Sequence, residues 1–246
     1  MTKTLQIIMP MAGAGSRFAA AGFTTPKPLI DVDGMPMFLK AASSLDNISA
    51  EKKFIFIIRQ EHVDTQNLDQ LIKEALPEVE IVVLPEITRG AAETAMQSQL
   101  LLNPGDPVIV MDCDLWFKSA SYDEMVSSVI EGNNDITGGV LTFAADNPRY
   151  SYARIGENNI VTETAEKRVI SEHAITGAYF FAAASEFVQA AEQLLSQPVS
   201  DELPEYYLSL LYNILIDEGK KIQAAYVDEF ASFGTPEELE AYQQTQ

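Results

Sequence analysis

The feature that most constrains the fold of this chain is a series of short apolar runs in which polar and apolar residues do not alternate. Runs of this kind are typical of central parallel strands that are covered on both faces. There are four of them: LQIIM at 5–9, FIFII at 54–58, EIVVL at 80–84 and PVIVMD at 107–112. Helices are predicted between them, at 37–45, 65–76 and 91–102. This βαβαβαβ order predicts an α/β fold with a doubly wound, mostly parallel sheet, which binds its ligands at the carboxyl ends of the strands.

After residue 131 the pattern changes to shorter β-rich segments, which predict a lobe inserted into the sheet-forming part. These segments are DITGGVLTF, YARIG, NNIVTET and GAYFF. Helices are predicted again at 185–197 and 205–218, followed by the strand IQAAYVD and a final helix. In that helix Thr235 is placed as the N-cap and Glu238 as the third residue, which is the pattern of a capping box. Because no repeat and no long linker divides the chain, we predict one domain over residues 1–246.

The charge of the chain narrows the classes of partner. Sixteen basic residues stand against 36 acidic ones, which gives a formal net charge of −20 and a pI near 4.3. Such a surface repels phosphate backbones, so nucleic acid and anionic membranes are disfavoured as partners. No apolar run approaches the roughly 18 residues of a membrane span, and the first ten residues lack the features of a secretory leader. We therefore expect a cytoplasmic protein, and whether it forms a homo-oligomer is left open.

A glycine-rich segment, MAGAGSRFAAAGFTTPKPLID, directly follows the first predicted strand. Gly13 and Gly15 match the first two glycines of the dinucleotide-binding pattern G-x-G-x-x-G, but the bulky Phe18 stands at the third. The two prolines of PKPL would also break the continuous crossover helix that a dinucleotide-binding fold needs. The Walker pattern G-x-x-x-x-G-K-[ST] is absent. An enzyme that transfers hydride to a dinucleotide is therefore disfavoured.

The same segment carries two cations, Arg17 and Lys27. Backbone N–H groups of a glycine-rich turn can cradle phosphates, and two positioned cations can neutralise a triphosphate. The alternative is a connecting loop with incidental charges. Taken alone, the segment indicates a phosphate-binding loop without excluding that alternative.

Two carboxylates end the fourth apolar run, in VIVMDCDLWF. If the extended backbone continues, Asp112 and Asp114 point to one side and Cys113, the only cysteine, points to the other. Carboxylates at the carboxyl end of a strand suit a hard cation, and Mg²⁺ takes oxygen ligands that it shares with substrate phosphates. The alternative is a turn in which the two carboxylates cap backbone groups. Cys113 is expected to be a buried small residue, and Trp116 and Phe117 are expected in the core.

These motifs together resemble those of the sugar-phosphate nucleotidylyltransferases, also called NDP-sugar pyrophosphorylases. The resemblance includes G-x-G-[ST]-R-F, PKPL and the strand-end aspartate, and it extends to TRGAAETA at 88–95, VTETAEKRVISEHAITGAYFF at 161–181 and FGTPEELEAY at 233–242. It implies a Rossmann-like nucleotidyltransferase fold with an inserted β-rich sugar-binding lobe. The nucleotide would bind mainly to residues 1–131 and the sugar phosphate mainly to residues 132–246.

The resemblance also implies a reaction and a set of site residues. The family joins an NTP to a sugar 1-phosphate by Mg²⁺-dependent in-line attack on the α-phosphate, which releases pyrophosphate. Arg17 would hold the β- and γ-phosphates, Lys27 would lie at the reacting phosphates, and Asp114 would bind Mg²⁺ with Asp112 as an auxiliary ligand. The nucleotide-binding residues would be Ala12, Gly13, Ala14, Gly15, Gly90 and Ala91. The sugar-phosphate-binding residues would be Glu166, Lys167, Thr176 and Gly177.

The chain departs from the family at two positions. Where many members have an aspartate two residues before the glycine of G-T-P, as second metal ligand, this chain has Ser232. The second ligand would then be Asp112, a carboxylate such as Asp228 or Glu229, or water. The family's Glu-Lys-Pro ends here in Arg168 in place of proline, and this extra cation either strengthens sugar-phosphate binding or lies exposed.

Two other functions stay open on the sequence. A cytidylyltransferase for another phosphomonoester, such as phosphocholine, would be expected to show an aromatic or acidic cage for the quaternary ammonium. Tyr150, Tyr152, Tyr179 and Trp116 could contribute to an aromatic one. A non-catalytic nucleotide-sugar sensor is compatible with Ser232, whereas the retained cations and Asp114 favour an enzyme. The absence of the C-terminal solenoid of bifunctional relatives leads us to expect a stand-alone enzyme of polysaccharide biosynthesis. Neither the sugar nor the base is specified.

Overall fold

The computed structural model describes residues 3–244, and its centre is a mixed, mostly parallel sheet. Within the described residues the sheet has nine strands. In chain order these are β1 (Leu5–Pro10), β4 (Lys52–Arg59), β5 (Val79–Leu84), β6 (Val108–Met111), β8 (Gly138–Ala144), β9 (Ser151–Ile155), β10 (Val161–Glu166), β11 (His173–Phe181) and β12 (Ile222–Tyr226). Two short antiparallel pairs lie outside it: β2 (Asp31–Val32) with β3 (Met35–Pro36), and β7 (Leu115–Lys118) with β13 (Glu229–Ser232).

The strand order, β10-β9-β11-β6-β1-β4-β5, confirms the predicted doubly wound sheet. β1 is parallel to both β6 and β4, and β4 is parallel to β5, so the first half of the chain forms the parallel part. β11 is antiparallel to β6, β8 and β9, and this antiparallel part is the predicted β-rich lobe joined to the same sheet. Ligands of such a sheet are expected where the carboxyl ends of β1 and β6 meet, because the chain connections diverge there.

Helices flank the sheet on both faces. They are α1 (Ser16–Ala20), α2 (Met37–Ser43), α3 (Gln60–Gln66), α4 (Leu68–Ala75), α5 (Ala91–Met96), α6 (Ala120–Ile130), α7 (Ala184–Leu195), α8 (Leu210–Asp217) and α9 (Pro236–Gln243). The capping box of α9 is confirmed: Thr235 accepts from the backbone of Glu238, and the Glu238 side chain accepts from the backbone of Thr235. No helix among the described residues is long and apolar enough to cross a membrane.

Four expectations from the sequence are wrong in detail. The helix predicted over 65–76 is divided between α3 and α4, because Asn67 is left-handed, with φ +50°. β5 is an edge strand and is only partly buried, with Val83 38% exposed, so its apolar run is not covered on both faces. The helix predicted over 205–218 begins only at Leu210, because the backbone of Tyr206 hydrogen-bonds to Arg89 and Ala92 and is held out of the helix. The helix predicted over 91–102 ends at Met96 and is followed by a short 3₁₀ turn.

Two large apolar clusters fill the two faces of the sheet, and a third, smaller one supports the glycine-rich loop. In the third cluster Phe18 is 2% exposed and packs with Phe233 and Leu239, which belong to the end of the chain. The bulky residue that breaks the dinucleotide pattern is therefore the anchor that ties α1 to α9. This contact brings the loop and the G-T-P segment together, and Gly15, Arg17 and Gly234 line one small cleft.

Candidate active site

Three cavities meet at the carboxyl ends of β1 and β6. The loop cavity, of about 440 Å³, lies between the glycine-rich loop and α3 and is lined by Gly13, Gly15, Lys27, Arg59, Asp112 and Asp114 among others. The lobe cavity, of about 250 Å³, is lined by Arg17, Asp112, Asp114, Glu166, Thr176 and Gly177 among others. The Gly90 cavity, of about 530 Å³, is lined by Ala12, Gly13, Ala14, Gly90, Ala91 and Asp112 among others. Asp112 lines all three cavities, and Asp114 lines the loop and lobe cavities.

The two strand-end carboxylates share this junction with Lys27. Asp114 Oδ2 forms an ion pair with Lys27 Nζ, and the backbone N–H of Asp112 donates to Gly177 O over 3.0 Å. Burial, reinforced by the Asp114 carboxylate, raises the pKa of Asp112 to about 7. Burial alone would lower the pKa of Lys27, but Asp114 outweighs it and holds the pKa above its ordinary value. Cys113 is buried, as expected, and burial raises the pKa of its thiol to about 12.

Two of the predicted glycines permit close contacts that no other residue would. Gly177 has φ +104°, and a Cβ there would lie 2.5 Å from Asp112 Oδ2, so the absence of a side chain lets the carboxylate pack against the backbone. Gly90 has φ +138°, and a Cβ there would lie 2.5 Å from the backbone nitrogen of Tyr206. Both glycines shape cavity walls directly. The Gly90 contact also brings the segment with Pro204 and Glu205 close to the first half of the chain, and both residues line the Gly90 cavity.

Glu166 is fixed in the wall of the lobe cavity by two hydroxyl groups. Its Oε2 accepts hydrogen bonds from Ser151 Oγ and, over 2.8 Å, from Ser209 Oγ. Burial raises the pKa of Glu166, although both serine hydrogen bonds oppose the shift. Neither Ser151 nor Ser209 is marked by any motif in the sequence. The carboxylate therefore has a set orientation and free lone pairs with which it can accept hydrogen bonds from a ligand.

Lys167 and Arg168 differ from Glu166 because neither of them lines the lobe cavity. The backbone of Lys167 is left-handed, with φ +52°, and its Nζ donates to Tyr207 Oη over 2.6 Å. Tyr207 lines the lobe cavity, so Lys167 contacts this cavity through the tyrosine and not as a lining residue. Arg168 pairs with Glu163 and has a side chain 69% exposed. The sequence left two interpretations of Arg168, and the structure agrees with the one in which this extra cation lies exposed.

The carboxylate of Glu238 lies next to Ser232, although the sequence pattern marks Glu238 only as part of a helix cap. Ser232 Oγ donates to Glu238 Oε2 over 3.0 Å, and Glu238 Oε1 forms an ion pair with Arg149. All three residues line the lobe cavity. Arg149 had no signal in the sequence, because its place depends on a contact 89 residues away. 

The two carboxylates suggested as substitutes for the missing aspartate are engaged elsewhere. Asp228 accepts from the backbone N–H of Ala120 at the start of α6, and Glu229 pairs with Lys118. Among the described residues no group of three or more His, Cys, Asp and Glu side chains is arranged to hold a metal ion. Asp112 and Asp114 are hard oxygen donors at a cavity junction. The pair fits Mg²⁺ that takes its remaining ligands from substrate phosphates and water.

The aromatic residues considered for an ammonium cage do not converge. Tyr150 and Tyr179 line the lobe cavity. Tyr152 is fully buried and donates its hydroxyl to Asn147 O over 2.8 Å. Trp116 lies under Lys40, whose Nζ is 4.8 Å from the ring centroid. Trp116 packs against the third apolar cluster, and the structure confirms Phe117 as core.

Comparison with known proteins identifies the family of the chain. A family model described as nucleotidyl transferase matches residues 5–210. The chain belongs to the nucleotidyl transferase family. Among solved structures it is similar to a nucleoside-diphosphate-sugar pyrophosphorylase from Vibrio cholerae RC9, with a TM-score of 0.82 and 26% identity over 97% of this chain and 99% of that one. No curated protein sequence matches the chain.

A second structural neighbour of this family member is an inositol-1-phosphate CTP transferase from T. maritima. Its TM-score is 0.73 at 15% identity, over 97% of this chain and 93% of that one. At this identity the likeness supports the fold alone. The α/β nucleotidyltransferase fold expected from the sequence is thus confirmed, and the roles of individual site residues stay predictions.

Proposed function

We propose that this nucleotidyl transferase joins a nucleotide to a sugar 1-phosphate and releases pyrophosphate. The observation that carries the proposal is the junction of Lys27, Asp112 and Asp114 between cavities with different walls. On one side the walls include Gly13 and Gly15 of the glycine-rich loop and Gly90 at the start of α5, and the backbone groups of such turns suit a nucleotide. On the other side Glu166 and neighbouring hydroxyl groups suit an acceptor that is rich in hydroxyl groups.

In this reaction a phosphate oxygen of the acceptor attacks the α-phosphorus of the NTP. The bond from that phosphorus to the bridging oxygen breaks, and pyrophosphate leaves with the electron pair. The nucleophile is already anionic, so no general base is required, and alignment and charge neutralisation dominate catalysis. We assign Lys27 to the phosphates at the reacting centre and Asp114 to the cation, with Asp112 auxiliary. Asp114, with Asp112, would hold Mg²⁺ there, and the ion would supply positive charge that offsets the negative charge of the phosphates.

The remaining assignments follow the cavities. We assign the base, ribose and phosphate contacts to Ala12, Gly13, Ala14, Gly15, Gly90 and Ala91, and the acceptor contacts to Glu166, Lys167, Thr176 and Gly177. Arg17 lines the lobe cavity, and its Nη1 lies 3.5 Å from Gly234 O. Its position favours contact with phosphate on the acceptor side of the centre over the β- and γ-phosphate role that the family resemblance implies.

A screen for pyrophosphate release tests the proposal. The purified protein would be incubated with Mg²⁺, each of the common NTPs and a panel of acceptors. The panel would contain several sugar 1-phosphates, inositol 1-phosphate and phosphocholine. We expect release with one NTP and one or a few sugar 1-phosphates, and formation of the matching NDP-sugar. Release with phosphocholine alone would favour the cytidylyltransferase alternative, and nucleotide-sugar binding without release would favour the sensor.

A further inference from the structure

We propose that Arg59, in the loop cavity beside the glycine-rich loop, is a further cation that binds the departing pyrophosphate. This inference rests on the proposed function. Arg59 is the last residue of β4 and lines the loop cavity beside the glycine-rich loop. Neither its sequence context nor the family motifs mark it as a site residue.

The order of strands places the two substrate sides on opposite sides of the reacting centre. In the sheet β6 lies between β11 and β1. The lobe cavity, lined by Ser151, Glu166 and Thr176 of β9, β10 and β11, lies on one side of the end of β6. The loop cavity, lined by Pro10 of β1 and Arg59 of β4, lies on the other.

In-line displacement fixes which cavity receives the leaving group. The attacking and leaving oxygens lie on opposite sides of the transferred phosphorus in such a reaction. Asp112 and Asp114 line both cavities, so phosphorus bound at these carboxylates has one cavity on each side. An acceptor that attacks from the lobe cavity therefore expels pyrophosphate into the loop cavity. No proton transfer is required, because the electron pair of the broken bond stays on the pyrophosphate oxygen.

The loop cavity offers few cations for a polyanion. Its lining contains Lys27 and Arg59, and Lys27 is already paired with Asp114. Arg17 lines the lobe cavity and a small cleft beside Gly234, but not the loop cavity. Neutral donors are present in Thr24, Thr25 and Gln66. Arg59 is therefore better placed than Lys27 to pair with the leaving phosphates.

The present partner of Arg59 is easily displaced. Arg59 Nη2 forms an ion pair with Glu61, whose side chain is 61% exposed, whereas that of Arg59 is 18% exposed. An exposed carboxylate contributes little to such a pair and can turn into solvent. A phosphate group can take its place on the guanidinium through two parallel hydrogen bonds. Glu61 thus occupies the arginine until pyrophosphate arrives.

The test compares Arg59→Gln with the parent and with Arg154→Gln. Arg154 also pairs with a glutamate, Glu163, but it lies on the lobe surface, 54% exposed, and lines none of the three cavities. Arg59→Gln should raise the inhibition constant of pyrophosphate in the forward reaction, and its KM in the reverse reaction, by about 10- to 100-fold. The KM of the acceptor should stay within about twofold. Arg154→Gln should match the parent, and Arg59→Lys, which keeps the charge but not the two-pronged geometry, should fall between them.

Calorimetric titration of the folded proteins with magnesium pyrophosphate separates this inference from the proposed function. Loss of binding in Arg59→Gln, with Arg154→Gln unchanged, supports the pyrophosphate site even if no tested NTP and acceptor pair reacts. If Arg59→Gln binds pyrophosphate and is inhibited by it as the parent is, the inference is overturned. The proposed function would still stand if the parent is active. A change confined to the acceptor KM would also overturn it. Thermal unfolding checks that each variant is folded.

Discussion

The proposed nucleotide side and the proposed acceptor side of this site are built in different ways. The Gly90 cavity and the loop cavity are lined in part by small residues of two turns, Gly13, Gly90 and Ala91, next to the space where a nucleotide would lie. The lobe cavity owes its shape to side chains that hold one another. Glu166 is fixed by two serines, and Glu238 by Ser232 and Arg149.

This difference separates two kinds of recognition. Backbone groups of a glycine-rich turn read phosphate and ribose, which all NTPs share, and they tolerate little change because a side chain would occupy the space. A network of side chains reads a particular acceptor, and any one member can be replaced if its neighbours adjust. Substitutions at the junction should therefore affect catalysis itself, whereas substitutions in the lobe should affect the acceptor alone.

The largest effects are expected at the junction. Lys27→Ala should lower turnover by at least ~10²-fold, because a preorganised cation at developing charge is worth about 3 kcal/mol. Asp114→Asn should nearly abolish turnover, and Asp112→Asn should leave a substantial fraction. Initial rates at saturating substrates measure the three variants, with thermal unfolding as the check of folding. Equal damage from Asp112→Asn and Asp114→Asn would mean that the two carboxylates act as a joint metal site, as the position of Asp112 at all three cavities would allow.

A lobe substitution should change the KM of the acceptor and leave that of the NTP alone. Glu166→Gln should raise the acceptor KM by roughly 10-fold or more, because hydrogen bonds to a charged group are about twice as strong as neutral ones. The carboxylate is the form that accepts from acceptor hydroxyls, and burial raises the pKa of Glu166. The acceptor KM of the parent should therefore rise as the pH falls, beginning at a higher pH than an ordinary glutamate would give, and Glu166→Gln should remove this dependence.

Glu163→Gln is the matched control for this experiment. Glu163 lies on the same strand, but it pairs with Arg154 and Arg168 at the surface. If both substitutions change the acceptor KM alike, the effect comes from the acidic surface and not from the lobe cavity. If Glu166→Gln raises the KM of the NTP instead, the two sides have been assigned the wrong way round.

The sequence predicts the glycine-rich loop and the junction better than it predicts the wall of the lobe cavity. β1, β4 and β6, the glycine-rich loop and the strand-end carboxylates are local patterns, and each was visible without its neighbours. Ser151, Ser209, Arg149 and Glu238 come together from distant segments, so their roles depend on packing that no local pattern encodes. The pairing of β7 with β13 escaped for the same reason. Both strands are short, and they lie far apart in the chain.

The departure from the family at Ser232 can be reversed by a substitution. Ser232→Asp should lower the Mg²⁺ concentration at half-maximal rate by a few-fold, because it restores a carboxylate near Asp114. The effect should be modest, since Glu238 already places negative charge beside Ser232. Ser232→Asn is the control of similar size without charge. Initial rates across an Mg²⁺ series measure all three proteins, and equal shifts for the two variants would show that shape and not charge is responsible.

The smallest expected effect is a difference in how salt changes the two association rates. The formal net charge of −20 repels anionic substrates, and added salt screens this repulsion, so both association rates should rise with ionic strength. Among the described lining residues, the lobe cavity has two arginines against four carboxylates, whereas the loop cavity has two cations against three. The acceptor should therefore gain more from salt than the nucleotide does. Stopped-flow binding of each substrate across a salt series, at fixed free Mg²⁺ so that complexation does not alter the nucleotide charge, measures both slopes. A steep slowing of nucleotide association with salt would show that Lys27 and Arg59 make the nucleotide side locally positive enough to steer its ligand.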